Sequence, residues 1–199
     1  MLLKLILPEE DQILSAFKWT EENLGHVHVL VNDAAFVSEE LLTEGNTEIW
    51  KRSFDVNVVA PCFTTREAVK IIRKNDIKGH IIHINSVAGH KVSPVPKMNV
   101  YAATKHAITA LSETLRQELN ALGSKIRVTV CRPFVFCPGL VVSEMTVLSK
   151  DISEERKKLF EVRPILQAED IADGVVYVLS TPEHVQVLEL TIKPVGEPH

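Results

Sequence analysis

The chain has 199 residues, of which 45% are hydrophobic and 24% are charged, a composition typical of one globular domain rather than of a disordered chain. Its net charge of −4 at pH 7 provides no basic surface for nucleic acid or for an anionic membrane. The three cysteines are odd in number and favour reduced thiols in a cytoplasmic protein over a disulfide framework.

Short β-branched runs alternate with longer amphipathic patterns along the whole chain. The opening MLLKLIL is too short to span a membrane and has no cleavage signal, so it is predicted to contain a strand. The predicted strands are residues 3–7, 26–32, 79–86, 125–130 and 185–193. The predicted helices are residues 9–24, 47–74, 101–122 and 168–180. This alternation predicts an α/β fold in which helices cover a parallel sheet.

Ligands of such sheets bind beyond the carboxyl ends of the strands. The polar residues Asn32, Asn85 and Ser86 are predicted to lie there. Ser86 in this position can hydrogen-bond a substrate carbonyl or alkoxide oxygen. Taken alone, however, it is equally well explained as a turn-forming serine before Ala88 and Gly89.

The sequence YAATK places Tyr101 and Lys105 on one side of the helix predicted at 101–122. That helix is predicted from apolar residues at 108, 111, 115, 119 and 122 and from the stop signal Gly123. An ammonium group ~4 Å from the phenol at an effective dielectric near 20 is worth roughly 4 kcal/mol. Such a cation would lower the pKa of the tyrosine by up to about three units, toward the range of a useful acid or base. The alternative is a chance pair on a solvated helix.

The chain resembles the classical short-chain dehydrogenases/reductases. The resemblance is carried, in the order of that family, by the segments VLVNDAAF, FDVNVVAP, INSVAGH, YAATKHA and PGLV. The segments AFKWTEEN, GHIIHINSVAGH and VLELTIKPVGE are similar to its insect farnesol-dehydrogenase-like and vertebrate member-11-like branch. The resemblance implies one Rossmann-like, doubly wound domain over residues 1–199.

The resemblance also implies roles for individual residues. In a catalytic group, Tyr101 is the acid/base, Lys105 lowers its pKa, Ser86 steadies the reacting carbonyl, and Asn57 holds a water in a proton relay. The residues implied to bind the cofactor are Asn32, Ala34, Tyr101, Lys105, Pro138 and Gly139. The implied cofactor is NADP, with NAD the less favoured alternative. The implied substrate is a lipophilic alcohol or carbonyl compound, an isoprenoid alcohol or a steroid, and the implied dimer interface is formed by helices 47–74 and 101–122.

The sequence departs from the family pattern in its cofactor half. Its eight glycines are scattered, and none forms the glycine-rich turn that receives the pyrophosphate, so the first βαβα portion is expected to be missing. The strand 26–32 would then have an unpaired apolar edge. Asp33 and Ala35 alter the family's Asn-Asn-Ala-Gly segment, and CRPFVFC at 131–137 lengthens the connection before Pro138.

Two functional hypotheses follow from these departures. The first is the NADP-dependent oxidoreductase. The second is a truncated, cofactor-impaired homologue that acts as a non-catalytic dimer or interaction partner, or an incomplete gene model. No metal site is predicted, because His26 and His28 share one strand face without a third ligand.

Overall fold

The computed structural model describes residues 9–92, 97–133, 141 and 165–196. Its helices, in chain order, are α1 (Glu10–Leu24), α2 (Thr47–Phe54), α3 (Ala60–Lys74), α4 (Tyr101–Ala121) and α5 (Ala168–Ser180). A π-helical turn, Asp55–Val59, joins α2 to α3, and a 3₁₀ turn, Val87–Gly89, follows the second strand. No helix of the described part is long and apolar enough to cross a membrane.

Within the described residues, four strands form one parallel sheet in the order β1-β2-β3-β4. They are β1 (Val29–Asn32), β2 (His80–Ile84), β3 (Arg127–Pro133) and β4 (Glu189–Ile192). The register pairs Asn32 of β1 with His83 of β2, and Ile84 of β2 with Cys131 of β3. The polar residues that end neighbouring strands therefore meet at one edge of the sheet.

Each face of the sheet has its own apolar core. On one face, α1, α3 and α4 pack against residues such as Ile81 of β2 and Val128 of β3. On the other face, α5 packs against Ile82 and Cys131. The predicted α/β architecture with helices on both faces of a parallel sheet is thereby confirmed.

Several predicted boundaries are corrected. β1 begins at Val29 rather than at residue 26, and β4 begins at Glu189 rather than at residue 185. β3 continues past residue 130 through Pro133, since Cys131 and Arg132 pair with Leu190 and Thr191 of β4. The predicted strand at residues 3–7 lies outside the described residues.

Helix α4 ends at Ala121, one residue before its predicted end, and Gly123 just beyond it adopts a φ of +64°. The apolar stripe on it is narrower than predicted. Ile108 and Leu119 are buried, whereas Leu111 is 36% exposed and Leu122 is 56% exposed.

At the edge of the sheet, β1 pairs only with β2 among the described residues, and both of its valines are partly exposed.

Candidate active site

Ser86 leaves β2 at the start of the 3₁₀ turn and is fully buried. Its Oγ accepts a hydrogen bond from the backbone N–H of Ala88 at 3.0 Å, which caps the turn. The Ser86 hydroxyl also hydrogen-bonds the side chain of Tyr101. The structure therefore shows the turn-forming role of Ser86, whose hydroxyl also contacts Tyr101, and the contact of Ser86 with a substrate stays a prediction.

Tyr101 and Lys105 lie one helical turn apart at the start of α4, as the spacing predicts. Both are buried, with 2% and 3% of their surfaces exposed. The Nζ of Lys105 lies 5.6 Å from the centre of the Tyr101 ring and donates to the carbonyl oxygen of Ile84 at 3.3 Å. The ammonium group thus links α4 to the carboxyl end of β2.

Burial dominates the electrostatics of this pair. It raises the pKa of Tyr101 above the ordinary value of 10.0, while the hydrogen bond from Ser86 works in the opposite direction. Burial also lowers the pKa of Lys105 to about 8, and the nearby carboxylate of Asp33 partly opposes that change. The prediction that Lys105 would bring the pKa of the phenol down by up to three units is therefore wrong for this state, because desolvation of the phenolate outweighs the attraction of the cation.

Asn57 lies in the π-helical turn, and its side chain reaches the loop after β1. Its Oδ1 accepts from the backbone N–H of Phe36 at 2.6 Å, and its Nδ2 donates to the carbonyl oxygen of Phe36 at 2.8 Å. The same Nδ2 group donates to Thr104 Oγ1 at 3.1 Å. Among the described residues, these contacts leave one lone pair on Oδ1 of Asn57 for the predicted water.

Apart from Tyr101 and Lys105, described above, the predicted cofactor-binding residues divide into three groups. The side chain of Asn32 is held by Thr64 and His83, at 2.7 and 3.2 Å, and shapes the end of β1. Ala34 is exposed just beyond it. Pro138 and Gly139 lie outside the described residues.

A cavity of about 220 Å³ opens beside Tyr101. Most of its lining is apolar, contributed by the loop after β1, the 3₁₀ turn and the start of α4. Its lining residues are Glu40, Leu41, Leu42, Ala88, Val92, Lys97, Met98, Asn99, Tyr101 and Ala102. A mostly apolar cavity with a few convergent polar groups is the usual form of a small-molecule site.

Sequence reasoning missed several groups that surround the candidate residues. Thr104 is fully buried and hydrogen-bonds both Asn57 and the carbonyl oxygen of Tyr101. His83 is buried, and burial together with the charge of Lys105 lowers its pKa to about 4. The only sequence signal for His83 is a histidine inside an apolar strand. Among the described residues, no cluster of three or more His, Cys, Asp or Glu side chains is placed to bind a metal ion.

Residues 2–153 of the chain match the sequence profile of the short chain dehydrogenase family. This match covers more than half of the chain and includes every described residue of the candidate site. The chain belongs to the short-chain dehydrogenase/reductase family. It is therefore one of the NAD(P)-dependent oxidoreductases, and the resemblance seen in the sequence is confirmed.

Individual relatives of this dehydrogenase support the same conclusion. Farnesol dehydrogenase of Aedes aegypti is 42% identical over 196 residues, which are 98% of this chain and 75% of the relative. Dehydrogenase/reductase SDR family member 11 of Homo sapiens is 37% identical over 94% of this chain and 71% of the relative. The chain thus spans roughly three quarters of the length of each.

Solved structures match the fold of the dehydrogenase over nearly its whole length. The closed form of serine dehydrogenase complexed with NADP+ superposes with a TM-score of 0.84 at 26% identity, covering 99% of this chain and 77% of the other. Serine dehydrogenase from Escherichia coli superposes with a TM-score of 0.77 at the same coverage. The fold predicted from the sequence is thus shared with solved members of the family.

Proposed function

We propose that this chain interconverts an alcohol and a carbonyl group on a lipophilic small molecule of the isoprenoid-alcohol or steroid class, with NADP(H) as the hydride carrier. The observation that carries the proposal is the connected group of Ser86, Tyr101 and Lys105, of which Tyr101 lines a mostly apolar cavity. The 42% identity to a farnesol dehydrogenase supports the substrate class. The 26% identity to a dehydrogenase solved with NADP+ supports NADP as the hydride carrier.

The described residues fit the nicotinamide-ribose end of such a cofactor. Lys105 is a buried ammonium group with three N–H donors, and its hydrogen bond within the described residues goes to the carbonyl oxygen of Ile84. Two donors remain for ribose hydroxyls. The eight scattered glycines of the chain offer no comparable arrangement for the pyrophosphate.

The bound cofactor supplies the hydride in the reducing direction and accepts it in the oxidising direction. During reduction, Tyr101 donates its hydroxyl proton to the substrate oxygen as negative charge develops there, and Ser86 donates a hydrogen bond to the same oxygen. The ammonium group of Lys105 stabilises the phenolate that Tyr101 becomes. Asn57 fixes the loop after β1 through Phe36 and offers its free lone pair to a water in the proton relay.

Replacement of one oxygen atom tests the proton-transfer role. Tyr101→Phe keeps the buried ring and removes the hydroxyl, so we expect turnover of farnesal with NADPH to fall by roughly a hundredfold to ten-thousandfold. NADPH binding, followed by fluorescence or by thermal shift, should persist. Tyr177→Phe, at an exposed tyrosine of α5, is the matched control and should retain full activity.

Two results would contradict the proposal. Full turnover by Tyr101→Phe would rule out proton transfer by Tyr101. If the unaltered chain binds no NADPH at millimolar concentration, the proposed cofactor is ruled out, and so is the oxidoreductase function of this chain.

We also propose that the chain associates with a second copy through the helices of residues 47–74 and 101–122. Two apolar side chains on these helices support the proposal: Phe54 of α2 is 39% exposed and Leu111 of α4 is 36% exposed. Large apolar side chains on adjacent helices favour burial against a partner surface. Association of this kind is compatible with catalysis and does not require it.

A further inference from the structure

The side chain of Arg132 is fully buried on β3, on the face that α4 covers. One terminal nitrogen donates to the carboxylate of Glu189 on β4, and the other donates to Thr109 Oγ1 at 2.9 Å. Its Nε–H has no hydrogen-bond partner among the described residues. The guanidinium group is fully buried whereas the Glu189 side chain is 44% exposed, so desolvation of the cation offsets part of the attraction, and the unpaired buried donor adds a further cost. Stability alone therefore does not explain why an arginine occupies this position.

Thr109 is the point at which Arg132 meets the candidate active site. Its hydroxyl oxygen accepts from Arg132 and also from Asn85 Nδ2, at 3.1 Å. Its proton is directed at two carbonyl oxygens, those of Gly89 at 3.0 Å and Lys105 at 3.2 Å. A threonine hydroxyl has two lone pairs and one proton, so this one is fully used.

The backbone beside Thr109 has no spare room. A Cβ added at Gly89 would lie 2.7 Å from the carbonyl oxygen of Lys105 and 2.9 Å from Thr109 Oγ1. The 3₁₀ turn that begins after Ser86 therefore rests directly on the turn of α4 that carries Lys105. Glu189 closes a ring of contacts, because its second carboxylate oxygen lies 3.2 Å from Nε2 of His90, the residue after Gly89.

We infer that Arg132, acting through Thr109, is a positioning residue that fixes Ser86 relative to Tyr101 and Lys105. Ser86 moves with the 3₁₀ turn, and the two other residues move with α4. The hydroxyl of Thr109 joins these two segments, and Arg132 anchors that hydroxyl to the sheet. The inference rests on the proposed function for its effect on turnover, but the rigidity of the turn can be measured without it.

The test compares two substitutions at Thr109. Thr109→Val keeps the shape of the side chain and removes the hydroxyl, whereas Thr109→Ser keeps the hydroxyl. In Thr109→Val we expect faster amide hydrogen exchange confined to residues 87–91, whose N–H groups at Gly89 and His90 close the turn. We also expect kcat to fall roughly tenfold to a hundredfold with little change in KM, since a displacement near 1 Å can have an effect of that size. Thr109→Ser should restore both properties.

Replacement of the ion pair is the second arm of the test. Arg132→Met combined with Glu189→Leu leaves no uncompensated charge, so the fold should keep or gain thermal stability while exchange and kcat change as in Thr109→Val. Arg127→Met is the matched control at the opposite end of β3, where Arg127 hydrogen-bonds Thr181. It should affect stability and leave kcat unchanged.

Unchanged exchange of residues 87–91 in Thr109→Val overturns the inference, whatever happens to turnover. The inference is also overturned if Thr109→Val loses thermal stability while its kcat equals that of Thr109→Ser. Absence of any turnover in the unaltered chain refutes the proposed function instead, and the exchange comparison then decides the positioning inference alone.

Discussion

Acidification from pH 7 to pH 5 is expected to destabilise the fold through two buried histidines of β2. Burial is the larger cause that lowers the pKa of His80 and of His83 from 6.5 to about 4, and the charges of Arg127 and Lys105 add to it. The unfolded chain therefore binds more protons than the folded chain between pH 4 and 6.5. The free energy of unfolding is fully retained above that window and falls as the pH drops through it.

The size of the effect follows from these shifts. For one histidine whose pKa moves from 6.5 to about 4 on folding, the free energy of unfolding falls by about 2 kcal/mol between pH 7 and pH 5. For the pair it falls by about 4 kcal/mol. That loss is a large part of the 5–15 kcal/mol typical of a folded domain.

Urea unfolding of His83→Asn at intervals between pH 7 and pH 5 measures the contribution of one imidazole. Asparagine can accept the hydrogen bond that His83 Nδ1 shares with Asn32, and it cannot take up a proton. We expect the dependence of the unfolding free energy on pH to fall by about half. His28→Asn, at an exposed histidine, should leave that dependence unchanged. An unaltered pH dependence in His83→Asn, or a flat profile in the natural chain, would refute this reasoning.

Two further predictions concern charge and association. Asp33→Asn removes the carboxylate that raises the pKa of Lys105, so the loss of reductase activity near pH 8 should begin at a lower pH. Asp76→Asn is the control and should leave the pH profile in place. An unchanged profile in Asp33→Asn contradicts the role of Asp33. Leu111→Arg should lower the molecular mass measured by light scattering across a concentration series. Val176→Arg, at an exposed position of α5, is the control and should leave the mass unchanged. Equal masses for the two variants contradict the proposed interface.

Local patterns predicted the elements whose signals lie within a few residues. Helix α4 was placed within one residue because its apolar repeat ends at Gly123, whose positive φ suits a helix terminus. The end of β3 was not predicted, since Arg132 reads as a loop residue. It continues the strand because Glu189, 57 residues further on, compensates its charge.

The candidate site shows the same division between local and tertiary information. The side-by-side placement of Tyr101 and Lys105 follows from four-residue spacing alone. The π-helical turn at Asn57 carries no residue-type signal, because an extra residue in a helical turn changes hydrogen-bond register rather than polarity. The pKa of Tyr101 was misjudged for a related reason: spacing indicates where a cation lies, but it does not indicate how deeply the phenol is buried.

The burial that spacing could not reveal also affects the direction of proton transfer. The raised pKa of Tyr101 keeps the phenol protonated at neutral pH, and a pKa of about 8 leaves Lys105 mainly charged there. A neutral phenol beside an ammonium group is arranged to donate a proton to a carbonyl oxygen, whereas accepting one from an alcohol requires the phenolate that burial disfavours. Below pH 8, the site as described therefore favours carbonyl reduction in the proposed reaction. Above that pH, Lys105 loses its charge and with it the means to stabilise the phenolate left after donation.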